Sequence, residues 1–110
     1  MTLSKHQQIF ARHIALLILY ADVLGYAVTF GDAFRDPRVH GEYGKKESYA
    51  SAKSEHKRRL AVDLNLFEDG EYLGSTDDHE ELGEFWESLD PLNVWGGRWE
   101  DGNHYQRNTS

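Results

Sequence analysis

Between Arg59 and Phe67 the chain reads RLAVDLNLF, and this alternation constrains the fold more than any other stretch. In an extended chain Leu60, Val62, Leu64 and Leu66 fall on one face, and Ala61, Asp63, Asn65 and Phe67 on the other. A strand face this apolar needs a covering layer. Two helical stripes supply it. Phe10, Ile14, Leu17, Ala21 and Leu24 recur at four-three spacing, widened by Leu16, Leu19, Tyr20 and Val23, with Thr2 or Ser4 as cap and Gly25 as stop. Leu82, Phe85, Trp86 and Leu89 form a second stripe, with Ser75 or Thr76 as cap, Asp77 and Asp78 in the first turn and Asp90-Pro91 as stop. Tyr26–Gly31 reads as a short strand, and Glu68-Asp69-Gly70-Glu71 as a hairpin turn leading into Tyr72-Leu73. WGGRWEDGNHY (95–105) reads as strand, turn and short strand. The expected fold is α+β: a small single domain over 1–110, with a short antiparallel sheet packed against two main helices. Residues 32–54, with Pro37, Gly41 and Gly44, form a long irregular loop, of a length more often functional than idle.

Composition narrows the chemistry. A net charge of -7 argues against a general binder of nucleic-acid backbones. No apolar stretch reaches the ~18–20 residues that span a bilayer. Ile14–Ala21 resembles the apolar region of a secretory signal, but Asp22 ends it and no small-x-small cleavage site follows, so it reads as a core helix. The absence of cysteine excludes disulfides, thiolate zinc sites, iron–sulfur clusters and thiol nucleophiles. A transition metal here must be held by histidine and carboxylate.

The constellation that meets this demand is His56, Asp63 and His104, with Asp101 three residues before the last histidine. Asp63 lies between Val62 and Leu64, where a carboxylate is expensive unless paired or metal-bound. Periodicity alone favours a solvent-facing Asp63 on the polar side of a half-exposed sheet. Seven residues of straight strand span roughly 23 Å. His56 and Asp63 therefore share an ion only if the chain bends within Lys57-Arg58-Arg59. Two histidines and one carboxylate give Zn²⁺ three ligands and leave a fourth position for water. Asp101, a carboxylate not needed for coordination, suits the general base and acid. Taken alone, Asp101-Gly102-Asn103-His104 also reads as a turn carrying a solvated histidine.

Ser54-Glu55-His56 followed by six residues and Asp63, then Trp95-Gly96-Gly97 and Asp101-x-x-His104, resemble the M15 zinc metallopeptidases. They look most like the phage endolysin branch, the L-alanyl-D-glutamate endopeptidases. The resemblance covers about Thr29 to Tyr105 and implies His56, Asp63 and His104 as zinc ligands and Asp101 as catalytic base. It also implies an upstream arginine that binds a substrate carboxylate or stabilises the oxyanion. Arg35 and Arg38 both lie in that region, and Arg35, directly after the Thr29–Gly31 strand end, is preferred. Arg58-Arg59 replaces the glycine that the family usually carries after S-x-H.

Among the remaining residues, Trp86 reads as core, while Trp95 and Trp99 either line a substrate groove or close a small core. Lys57-Arg58-Arg59 reads as a solvated face, His6, His13 and His79 as helix-surface residues, and His40 as a loop residue able to approach the site. The resemblance implies a Zn²⁺-dependent peptidase acting on the peptide stem of peptidoglycan, cutting between L-Ala and D-Glu. The alternatives are a D,D-carboxypeptidase on terminal D-Ala-D-Ala, a non-catalytic zinc-stabilised cell-wall or virion module, and a small acidic adaptor docking through its first helix. The expected partner is the peptide stem, with no nucleic acid, no stable membrane insertion and a monomeric state. The expected setting is synthesis in a host cytoplasm and holin-type release onto periplasmic peptidoglycan.

Overall fold

The computed structural model describes residues 1–31 and 58–109. Helix α1 (Leu3–Val23) leads into strand β1 (Ala27–Phe30). Strands β2 (Ala61–Glu68) and β3 (Glu71–Leu73) form a hairpin. A 3-10 turn (Asp77–His79) opens helix α2 (Glu80–Leu89), and strand β4 (Asn93–Trp95), a second 3-10 turn (Gly96–Trp99) and strand β5 (His104–Arg107) complete the chain. The described strands make one antiparallel sheet in the order β1-β2-β5-β4. β2 is its centre: one edge pairs with β1, the other with β5 over Ala61–Asp63 and with β3 over Leu66–Glu68. Among the described residues, the expected α+β architecture of two helices on a short antiparallel sheet is present.

Local chemistry explains the punctuation. The Thr2 side chain accepts from the Lys5 N–H at 3.1 Å, and after α1 the chain turns through Gly25 at φ 93°. Asp69 (φ 52°) and Gly70 (φ 81°) occupy the two central positions of the hairpin, the left-handed pair that matches strand twist. Ser75 and Asp78 exchange side-chain-to-backbone hydrogen bonds of 3.1 Å each, anchoring the approach to α2.

The core lies between the helices and one face of the sheet. Leu60, Val62, Leu64 and Leu66 pack with Phe10, Ile14, Leu17, Ala21, Leu82, Trp86 and Tyr105. Trp86 meets Phe10 edge-on at 5.7 Å, and its indole N–H donates to the Gln106 carbonyl at 2.9 Å. No helix among the described residues is long and apolar enough to cross a membrane.

Two expectations about histidine are corrected here. His6 and His79 are buried, not on helix surfaces. His6 stands four residues before Phe10 and extends the buried ridge of α1, where its Nδ1 accepts from Arg107 Nε at 3.1 Å. Arg107 is itself buried and ion-paired with Asp90 at 3.2 Å. His79 closes the turn before α2 and shares a 2.9 Å hydrogen bond with the Tyr105 hydroxyl. His13 is half-buried between Trp86 and Asn93. The expected 32–54 loop and His40 lie outside the described residues.

Candidate metal centre

The register of β2 against β5 places Asp63 opposite His104 and Ala61 opposite Gln106. Residues directly opposite across a ladder point to the same face. Since Leu60, Val62, Leu64 and Leu66 turn toward the helices, these four side chains share the other face of the sheet. At this pairing the face is buried: Asp63 is 3% exposed, His104 0% and Gln106 4%. The solvent-facing Asp63 favoured by periodicity is thereby overturned, because β5 lies alongside β2 and sets a histidine against the carboxylate.

The contacts are specific. His104 Nδ1 lies 3.1 Å from Asp63 Oδ1, and His104 Nε2 lies 2.8 Å from Gln106 Oε1. Gln106 Nε2 donates to Asn108 Oδ1 at 2.6 Å. Both nitrogens of one buried imidazole thus face oxygen acceptors, whereas a neutral imidazole donates through only one. A second proton or a cation must serve the other. With Nε2–H donated to Gln106, the Nδ1 lone pair and the Asp63 carboxylate converge, as two donors of a shared zinc ion would. The donor chemistry present therefore fits the metal.

The loop carrying Asp101 is held tightly beside this pair. The Asp101 N–H donates to the Gly96 carbonyl at 2.9 Å, and the His104 N–H to the Asp101 carbonyl at 3.1 Å. A side chain at Gly96 would place its Cβ 2.3 Å from the Asp101 carbonyl oxygen and 2.7 Å from His104 Cβ, so only glycine permits this approach. Trp95 is a buried brace and not a groove wall. Its ring lies against Gly83 and Gly97, where added Cβ atoms would stand 2.1 and 2.3 Å from it, and its indole N–H donates to the Gly102 carbonyl at 2.7 Å. From α2, Glu87 accepts from the Trp95 backbone N–H at 3.0 Å and pairs with Arg98. Trp99 stands closer to the site. Its ring centroid is 5.7 Å from that of His104, and its buried indole N–H has no hydrogen-bond partner among the described residues.

The chain turns at Arg58-Arg59, and Arg59 adopts φ 60°, a conformation usually left to glycine. Arg59 is exposed, as a solvated basic face requires, whereas Arg58 is half-buried and donates to Thr109 Oγ1 at 3.2 Å. His56, Arg35 and Arg38 lie outside the described residues. Among the described residues no group of three histidine or acidic side chains could hold a metal, and the pair Asp63–His104 is the part of the expected set that is assembled. Gln106 and Asn108 were not singled out from the sequence. Their signal is the alternation His104-x-Gln106-x-Asn108, which aims three hydrogen-bonding side chains at one face.

No curated protein matches the chain. The M15 peptidase family model described as D-alanyl-D-alanine carboxypeptidase matches residues 48–107, a little over half of the sequence. The matched stretch contains His56, Asp63, Asp101 and His104 and begins after Arg35 and Arg38. The buried pairing of Asp63 with His104 lies within that stretch, and the chain belongs to the M15 family of peptidases.

Proposed function

We propose that the protein is a zinc-dependent peptidoglycan peptidase that hydrolyses the L-alanyl-D-glutamate bond of the cell-wall peptide stem. The observation that carries this reading is the buried Asp63–His104 pair, with both ring nitrogens committed to oxygen, inside the family match. His56, Asp63 and His104 would hold the zinc, which when bound supplies a Lewis acid for the scissile carbonyl and acidifies a water. Asp101 accepts the proton of the attacking water on its carboxylate and delivers it to the leaving amide nitrogen. Its position is fixed through its backbone by Gly96 and through the loop by Trp95. Arg35 is the proposed partner of the oxyanion or of a substrate carboxylate. The protein acts as a monomer on periplasmic peptidoglycan after holin-type release from a host cytoplasm, and binds neither nucleic acid nor membrane.

The test is Asp101→Ala. Zinc binding and thermal stability are expected to persist, while lysis of outer-membrane-permeabilised cells falls by about 10²–10⁴-fold. Lysis at the wild-type rate sinks the catalytic assignment. The family description favours a second reading, a D,D-carboxypeptidase releasing terminal D-alanine. Mass spectrometry of muropeptides, with and without chelator, separates the two: new D-glutamyl amino termini support the endopeptidase, and loss of a single D-alanine supports the carboxypeptidase. A zinc-loaded wild type that leaves muropeptides unchanged would identify a non-catalytic zinc-stabilised module.

A further inference from the structure

We infer that Gln106 is a positioning residue that selects the metal-binding tautomer of His104, and that Asn108 holds Gln106 in the selecting orientation. The inference rests on the zinc reading of Asp63 and His104. A side-chain amide offers an oxygen on one side and an NH₂ on the other, and the two faces impose opposite demands on an imidazole nitrogen. Here Oε1 faces His104 Nε2 at 2.8 Å, so Nε2 must carry the proton. That leaves Nδ1 with a lone pair on the side of Asp63. Turning the amide over would present its NH₂ to Nε2, move the ring proton to Nδ1 and direct an N–H at the Asp63 carboxylate. Such a ring hydrogen-bonds to Asp63 and ligates nothing. Asn108 prevents this, because its Oδ1 accepts from Gln106 Nε2 at 2.6 Å and would otherwise face a second carbonyl oxygen.

The surroundings hold the amide in reach. Gln106 is 4% exposed and lies opposite Ala61, whose small side chain leaves the glutamine free to fold back toward His104 along β5. The backbone carbonyl of Gln106 is pinned by the Trp86 indole at 2.9 Å. A buried amide with both ends engaged has little freedom to reorient. Hydrogen-bonded partners behind metal-binding histidines commonly govern affinity by about 10–100-fold.

The experiment compares wild type, Gln106→Met, Gln106→Glu and Asn108→Leu. Zinc affinity is measured by competition with a chromophoric chelator, and the His104 ring is observed by ¹⁵N-resolved NMR. In zinc-loaded wild type, His104 is expected to show a proton on Nε2 and metal coordination at Nδ1. Gln106→Met, similar in length but without a strong acceptor, is expected to weaken zinc binding about 10–100-fold and to shift the Nε2–H resonance. Gln106→Glu retains an acceptor and is expected to restore both readouts to near wild type. Asn108→Leu, at a half-exposed position, keeps the role testable if Gln106→Met does not fold, and is expected to give a several-fold loss. Wild-type affinity and an unchanged His104 spectrum in Gln106→Met, or in Asn108→Leu should Gln106→Met not fold, overturn the role of Gln106 while leaving the zinc reading intact. Wild type that binds no zinc overturns both.

Discussion

Where β2 pairs with β5, over Ala61–Asp63, the two faces of the sheet are equally buried but built on different physics. Toward the helices, Leu60, Val62, Leu64 and Leu66 join Tyr105 in an apolar layer whose stability comes from area removed from water. On the opposite face, Asp63, His104 and Gln106 are as well buried but owe their places to directed contacts of 2.8–3.1 Å. The first face tolerates changes of shape that conserve volume. The second is intolerant of any change in donor or acceptor identity, because an unmatched buried polar atom costs its full desolvation. One pair of strands thus carries a stability element and a chemical element that mutation should separate.

The largest separation is expected from Leu64→Ala, which should lower unfolding free energy by about 2–5 kcal/mol in urea titrations, yet leave the zinc-induced increment unchanged. A Leu64→Ala protein that also lost its response to zinc would show that the faces are coupled. Asp63→Asn is the converse. At zinc a hundredfold above Kd the wild type should gain about 2.7 kcal/mol, and the Asn variant should gain almost none in the same titration.

A third prediction sharpens the helix side. Burial, ahead of the neighbouring charges, pushes the imidazoles of His6, His13 and His79 below their ordinary value. The unfolded chain then binds more protons than the folded one once pH drops below about 6.5, so stability is complete above that pH and declines as pH falls toward the depressed values. Urea midpoints at pH 7.5 and 5.5 measure the decline, and His79→Gln should flatten it. The smallest effect is expected at the turn before β2. Arg59→Gly relieves the left-handed conformation at φ 60° and should raise stability by about 0.5–1 kcal/mol by thermal melting, net of the added freedom of the unfolded chain.

The regular elements were legible because their signals are local. The Thr2 cap, the Gly25 stop and the Asp69-Gly70 turn each act within a few residues, and the alternation from Leu60 to Phe67 specifies β2 by itself. The environment of Asp63 was not legible in the same way. A carboxylate on the less apolar face of a strand has one pattern whether that face meets water or another buried side chain, and the deciding contact is with His104, forty-one positions later. The metal-ligand candidates came from residue type and from resemblance to a family, and the turn at Arg58-Arg59 came from chain geometry. His6 and His79 escaped because a stripe counted only in apolar residues does not register an imidazole serving as part of it. Gln106 escaped for a related reason, since an uncharged amide near the end of a chain carries no chemical flag until its partners are known.

Trp95 has one more consequence. Its indole is wedged between Gly83 of helix α2 and Gly97 of the loop, and tethered to the carbonyl of Gly102. Swinging the Asp101 loop outward would leave a ring-sized void in the middle of the protein. The loop and the helix are therefore mechanically one piece, and Asp101 cannot be carried away from His104 without unseating Trp95 from Gly83.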